Sequence, residues 1–536
     1  MKRYEVIVIG AGPAGLSAAA KAARIGMSVA VFDENTGPGG QLFKQIHKFF
    51  GSGEHNAKIR GFRIGRKLLK EAEEAGVEVF LNAVVTGIYE EKEIVVRMDN
   101  GIFHFKANYI VIAAGAAENA LPFDGWDLPG VMSAGAAQTL MNLHGVQPGK
   151  RILMVGSGNV GLIVAFQLLQ AGCSLTAVLD AAPRIGGYGV HAAKIARTGV
   201  PFLTSHTIVR ATGKDHVETA VIAEVDENFQ PVPGSEKELK ADTILLAVGL
   251  TPMNQLAKNA GCRVEYRGGG INPSPVTVTD PYGETTVKGI FCCGDSRMET
   301  AEGASSAILQ GCMAAVRIAS QAGYLPEREA EVRTAEYEES LKHLSGGMFA
   351  VENKGRTDIT TTQEGYAVSQ NLLRAGYVTE EEIRAFPAAD CSRPGIHPVI
   401  ECTQNIPCNP CGNICAFGCI RLEGEITALP ERNEESRCTG CGMCVAGCPG
   451  QAIFLIDKDY EPGFASVGIP YEFLPLPERG TRGDALDRSG KPVCRAEILS
   501  VKKTKAMDET ALLTMKVPLE FAGSARFFRP DGKFGQ

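Results

Sequence analysis

Continuous apolar runs that end at glycines set the pattern of the first half of the chain. Residues 4–9 (YEVIVI) are β-branched and unbroken up to Gly10, as in a parallel strand buried on both faces. An alanine-rich stretch from Ala14 to about Ile25 predicts a helix, and residues 28–32 (SVAVF) predict a second strand. The same succession returns at Arg151, with RILMV, then GSGNVG, a helix to about Ala171 and a strand at 174–179. Two more apolar runs, YIVIAAG ending at Gly115 and TILLAVG ending at Gly249, read as strands. One doubly wound α/β unit, residues 1–115 and 246–325, is therefore expected to be interrupted by another, residues 116–245. Beyond them, 326–400 is a charged, mixed connector with a helix through EREAEVRTAEYEESLKHL. Residues 401–460 form a cysteine-rich module, LPLPERGTRGD reads as an exposed linker, and 461–536 is a short β-rich extension carrying VCRAEILSV and ALLTMKVPL.

A length of 536 residues fits three to four domains at about 150 residues each. The net charge of −7 argues against nucleic acid as the main partner, because phosphate binding needs a cationic footprint. No apolar run approaches the ~20 residues of a membrane span. Lys2, Arg3 and the apolar run after them resemble a secretion signal, but the order strand, glycine turn, helix marks a nucleotide site instead. Of sixteen cysteines, eight lie between Cys408 and Cys448 at two- and three-residue intervals. Metal clusters need such regular spacing and disulfides do not, so a reducing, cytoplasmic location is expected.

Gly10, Gly12 and Gly15 form GAGPAG directly after a strand. The first permits the tight turn, the second lets backbone approach a pyrophosphate, and the third lets helix pack on strand. Pro13, which has no N–H of its own, opens the helix, and Ala14 and the residues after it present N–H groups to the anion. Asp33 ends the next strand, 18 residues past Gly15, where it or Glu34 can hold ribose hydroxyls.

These residues, with GGQL (Gly39–Leu42), YIVIAAG, AVGLTP and GIFCCGD (289–295), resemble the two-dinucleotide-binding-domain flavoproteins typified by glutathione and thioredoxin reductases. The resemblance covers roughly residues 1–325 and implies FAD at the first fingerprint. It places Gly40 and Gln41 beside the flavin, although Gln41 can equally cap a turn. It also places Ala114 and Gly115 at a strand end, Val85 with its backbone at adenine, and Gly294 and Asp295 at the ribityl and phosphate portion. Gly156, Gly158, Asn159, Val160 and Gly161 of GSGNVG then belong to a pyridine-nucleotide domain. Asp180 suits a free 2′-hydroxyl and favours NADH over NADPH. Whether that site takes NAD(H), another nucleotide or nothing stays open. The redox-active cysteine pair of the disulfide reductases is missing from both places where it occurs, and Cys292 and Cys293 read as small buried fillers.

Cys438-x2-Cys441-x2-Cys444-x3-Cys448-Pro449 is the bacterial ferredoxin run of a [4Fe–4S] cluster, with a zinc site as the alternative. Cys408-x2-Cys411-x3-Cys415-x3-Cys419 departs from it by one extra residue and lacks the proline. Aligned on their last cysteines, the runs predict one cluster on Cys408, Cys411, Cys415 and Cys448, and another on Cys438, Cys441, Cys444 and Cys419. Cys402 is a possible substitute ligand. The expected fold is α/β: two Rossmann-like three-layer domains, a small α+β module of the 2[4Fe–4S] ferredoxin type and a β-rich extension.

The combination, with FKQIHKFFGSGEH after GGQL, resembles the larger FAD subunit of amine- and amino-acid-oxidising complexes of the opine oxidase, dye-linked proline dehydrogenase, hydroxyproline dehydrogenase and hydrogen cyanide synthase type. That resemblance implies a relay subunit beside a second flavoprotein of the D-amino-acid-oxidase type, and a small iron–sulfur subunit or ferredoxin as a further partner. Two other readings are a self-sufficient NAD(P)H:acceptor oxidoreductase and a redox-sensing scaffold without turnover. His47, in the basic–aromatic stretch KQIHKFF, is a candidate acid–base residue, and Lys44 and Lys48 can equally form a solvated helix face. No catalytic base is assigned.

Overall fold

The computed structural model describes residues 1–267, 274–297, 303–349 and 359–532. Parts of the expected 246–325 segment, the connector and the last four residues of the extension lie outside these. The chain forms two compact units.

The first unit holds residues 1–118 and 249–346. Its parallel strands run in the order 78–80, 29–32, 2–9 and 101–112, and strand 290–292 pairs with the far half of 101–112. The near half of 101–112 turns antiparallel with 93–98 and 84–89. Val6, Ile7 and Val8 are buried on both faces, which is why their run is unbroken by polar residues. Helix Pro13–Ile25 packs on helix Ala304–Gln321 through small residues. A Cβ at Gly311 would lie 2.1 Å from the Ala14 carbonyl oxygen. Helix Glu327–Leu344, expected from the connector, packs on that second helix.

The second unit contains a five-stranded parallel sheet in the order 202–204, 174–180, 151–155, 243–246 and 131–133. The C-terminal part is larger than the short extension the sequence suggests. Seven antiparallel strands run in the order 397–400, 453–461, 464–471, 511–518, 492–502, 482–486 and 527–530. Two of them come from before residue 461, so the cysteine segment is a loop of this sheet, slung between the adjacent strands 397–400 and 453–461. The Glu401 N–H donates to the Ala452 carbonyl at 2.8 Å and closes its neck. Part of the expected linker is the strand Arg482–Leu486, with Ala485 and Leu486 buried.

This sheet shares one apolar core with the parallel one. Phe166 meets the edge of Phe473 at 5.5 Å, and Leu162, Ile195, Phe454 and Tyr471 belong to the same cluster. The connector joins in with Leu372, Val378, Ile383 and Phe386, and a capping box at Thr379 and Glu382 starts one of its helices. Beneath the neck, Glu401 accepts from Arg488 at 2.5 Å and from Arg526 at 2.7 Å. Burial pushes the Glu401 carboxyl up, but Arg488 and Arg526 outweigh it and hold it at about 2.

Two outcomes follow. Gly311→Ala forces the two helices of the first unit apart and lowers the melting temperature, at about 1–3 kcal/mol. Glu401→Gln leaves buried arginines uncompensated and costs about 3–5 kcal/mol at neutral pH. Because the folded-state pKa is depressed, that stabilisation is full above the ordinary value of 4.5 and fades as pH falls toward about 2. Urea titrations of both proteins at several pH values should therefore converge in acid.

Candidate functional site

The first glycine turn sits at the carboxyl ends of the parallel strands, where such sheets bind ligands. Gly10 has φ +106°, and a Cβ there would lie 2.3 Å from the Ala113 carbonyl oxygen. Gly15 packs so closely that a Cβ would meet the Gly10 oxygen at 1.9 Å. The helix opening at Pro13 has no side-chain cap and no acid in its first turn, so its N–H groups face the turn ready for an anion. The Asp33 carboxylate accepts from the Ala11 N–H at 2.5 Å and from the backbone and side chain of Asn35. It braces the turn and keeps little acceptor capacity for a ribose, while Glu34 beside it is exposed.

The GGQL segment folds back onto this turn. The Gly39 N–H donates to the Ala11 carbonyl at 2.8 Å, and a Cβ on Gly40 would lie 2.9 Å from the Gly12 Cα. Gln41 follows, exposed, in a short 3-10 helix. From the closing segment, Gly294 reaches the same helix end, where a Cβ would lie 2.9 Å from the Ala14 Cβ, and Asp295 beside it is exposed. Next to Ala114, the Gly115 N–H donates to Ser296 Oγ at 2.8 Å. Val85 pairs with Val96, two residues beyond Ala83, whose N–H donates to the Asp33 carbonyl. The donor set, the glycines and the uncapped helix fit a dinucleotide such as FAD. Lys44 and Lys48 do not form the solvated face that their spacing suggests. Both are buried, and burial lowers the Lys44 ammonium while Glu118 opposes it. His47 stacks on Phe49 at 4.8 Å.

The second turn repeats the first. Gly156 has φ +107°, with the Ala247 oxygen 2.2 Å from a hypothetical Cβ, and Gly161 would meet the Gly156 oxygen at 2.2 Å. Asp180 accepts from the Ser157 N–H at 2.8 Å and from the Ala182 N–H at 2.9 Å, the same brace that Asp33 makes. Helix Asn159–Gln170 opens after Gly158 without a cap, and Val160 is exposed on its first turn. Gly186 and Gly187 fall six and seven residues after Asp180, as Gly39 and Gly40 do after Asp33. The Gly187 N–H donates to the Ser157 carbonyl at 2.9 Å, and the Tyr188 N–H to Asn159 Oδ1 at 2.9 Å. That equal offset is a signal in the sequence that motif matching alone passes over.

Within the cysteine loop two short helices mirror one another. Cys411 and Cys444 are the second residues of Pro410–Ile414 and Met443–Gly447, and Cys415 and Cys448 are their extended C-caps. A Cβ on Gly447 would collide with Ile414 Cδ1, so the helices lie against each other. Cys415, Cys419, Cys438, Cys441 and Cys444 line one pocket. Cys448 lies apart from it. Burial pushes the Cys402 thiol up, and charge on Cys448 and Cys411 adds to the effect, so these three are neighbours. Cys419 stands with the second run, as the spacing predicts, but Cys415, which the spacing groups with Cys448, lines the same pocket. The matching pair is Cys415 and Cys448, each four positions after a helix cysteine. Among the described residues no three His, Cys, Asp or Glu side chains close on a single ion. A cubane asks for a wider spread, because each thiolate bonds a different iron. Cys292 and Cys293 are buried thiols, and burial pushes Cys293 to about 12.

A set of buried cations lies beside the Cys402 group: Lys194, Arg197, Arg488 and Arg526, around Glu401. Isolated basic residues have no spacing signature, and only the fold assembles them.

Comparison with known proteins agrees with this geometry. Residues 434–454 match the 4Fe-4S binding domain and residues 4–311 match pyridine nucleotide-disulphide oxidoreductases. The chain is 28% identical over 440 residues to an opine oxidase subunit of Rhizobium meliloti (strain 1021), across 78% of this chain and 91% of that protein. It is 26% identical over 377 residues to the hydrogen cyanide synthase subunit HcnB of Pseudomonas aeruginosa, across 66% and 79%. The thioredoxin reductase of T. acidophilum shares its fold over 60% of this chain and 99% of that one, at TM-score 0.50 and 22% identity. Among the described residues no helix is long and apolar enough to cross a membrane. The chain belongs to the pyridine nucleotide-disulphide oxidoreductase family, as a FAD-type flavin oxidoreductase that also carries a 4Fe-4S binding domain.

Proposed function

We propose that this chain is the electron-transferring FAD and iron–sulfur subunit of a multi-subunit dehydrogenase, whose amine, amino-acid or hydroxy-acid substrate is oxidised on a partner flavoprotein. The observation that carries the reading is a reductase scaffold whose clustered cysteines are gathered in a two-helix loop of the C-terminal sheet, with none of the reductases' thiol pairs in its nucleotide units. FAD accepts two electrons and can release them singly, which suits acceptors that take one at a time. This chain's residues hold and insulate. The GAGPAG helix end takes the pyrophosphate, Gly39–Gln41 and Gly294–Asp295 close over it, and Asp33 keeps the turn rigid.

On the strength of the mirrored helices we group Cys402, Cys408, Cys411 and Cys448 around one cluster, and Cys415, Cys438, Cys441 and Cys444 around the other. The second set takes three thiolates from its own run and the fourth from the other, as in two-cluster ferredoxins. The first takes Cys408 and Cys411 from its run, Cys402 from before it and Cys448 from the other, and Cys419 is left spare. The likeness to proteins named as oxidase and synthase subunits supports the relay. The completeness of the second cradle supports the other reading, an NAD(H)-driven acceptor oxidoreductase.

In the relay, anaerobic NADH leaves the flavin absorbance of the purified chain unchanged, while the partner with its substrate bleaches it. Rapid bleaching by NADH alone would transfer the assignment to the second reading. Cys402→Ser is expected to bring the iron content from about eight to about four per chain, with equal loss of acid-labile sulfide, and Cys419→Ser to leave both unchanged. The reverse pattern restores the grouping expected from the spacing.

A further inference from the structure

The buried cations surround a small cavity in the second unit. Helix Gly189–Ala196 and Arg197 form one wall, and the neck residues of the cysteine loop form the other. Its free volume is about 30 Å³, room for two or three waters at 10–15 Å³ each. Among the described residues Glu401 is its only lining acid, and Glu380 meets Arg488 from the exposed side at 3.1 Å. Positive charge is thus in excess where water is scarce. Among the described residues, Arg197 Nε, Arg526 Nη2 and Gln404 Nε2 are buried without a hydrogen-bond partner. Such an excess is expensive to bury unless a negative charge stands close by.

The closest candidate is the cluster site that includes Cys448. Arg197 donates to the Gln451 carbonyl and to Gln451 Oε1, both at 2.9 Å. The Gln451 N–H donates to the Cys448 carbonyl at 3.1 Å, and the Ala452 N–H points at Cys448 Sγ at 3.4 Å. The guanidinium therefore grips the turn that carries the thiolate. Among the described residues no Lys, Arg or His lines the pocket of Cys415, Cys438, Cys441 and Cys444, where Pro398, Phe417, Met443 and Leu455 stand instead. The nearby Lys502 donates to the Cys441 carbonyl from the exposed surface, where solvent screens it.

We propose that Arg197, backed by Arg488 and Arg526, gives the cluster held by Cys402, Cys408, Cys411 and Cys448 a higher reduction potential than the other cluster, so that electrons collect there. The inference rests on the relay reading and on the ligand sets above. Each transfer moves one electron from reduced flavin onto the cluster with no bond made or broken. It adds one negative charge, which a fixed cation in a low-dielectric site stabilises. Arginine keeps its proton around neutral pH, so the bias persists across that range.

An anaerobic redox titration of the full chain followed by electron paramagnetic resonance tests this. The wild type should show two separate reduction steps, and Cys402→Ser should remove the one at higher potential. Arg197→Met should lower that step and leave the other in place, and Arg197→Lys should restore most of the difference. Coincident potentials, loss of the lower step in Cys402→Ser, or an unmoved upper step in Arg197→Met each overturn the proposal. The Cys402→Ser comparison decides even if Arg197→Met does not fold. Iron and sulfide analysis of the same samples reports separately on whether the clusters, and with them the relay reading, are present.

Discussion

Glu401 is the anion on which the second unit is assembled. Its backbone closes the neck of the cysteine loop and its carboxylate draws Arg488 and Arg526 into the interior. Without it, buried Arg526 would lose the carboxylate it pairs with and Arg488 would keep only the exposed Glu380. One residue thus joins three things that the sequence keeps far apart: the strand before the cysteines, the hairpin turn holding Arg488, and the final strand approach at Arg526. The parallel sheet enters the same arrangement through Arg197. The iron–sulfur segment is in this sense built into the second dinucleotide fold.

The other recurring constraint is the acid that braces a glycine turn. Asp33 and Asp180 accept from equivalent backbone N–H groups, and each is followed at the same distance by a glycine pair that folds back over the turn. The brace explains why both turns stand open and rigid, with helix ends left uncapped. Two such cradles in one chain need not share a ligand. The first has Gly294 and Asp295 arriving from a distant segment, whereas the second is approached by Tyr188 and Asn159.

Much of this was legible in the residues. The strands before each glycine turn, the helix Glu327–Leu344 and the late strands all stand where periodicity sets them. These are local signals, carried by runs of one period. What the residues did not reveal is long-range. The connector's Leu372 and Phe386 look unremarkable until they enter a core shared with two sheets. The spacing of Cys408 to Cys419 suggested pairing the runs by their ends, and only the helix caps show that Cys415 is the counterpart of Cys448. Lys44 and Lys48 sit on a polar-looking stretch, yet the fold covers them.

The slung position of the cysteine loop also shapes how the protein is made. Strands 397–400 and 453–461 are neighbours in the sheet, and the whole segment between them must be gathered before they can pair. Closing a segment of that length costs roughly 3–4 kcal/mol of chain entropy. Iron–sulfur clusters bound as proposed would tie thiolates across the loop and remove much of that freedom beforehand, so that metal assembly and sheet closure would favour each other. A newly synthesised chain short of iron would then hold its C-terminal sheet less firmly.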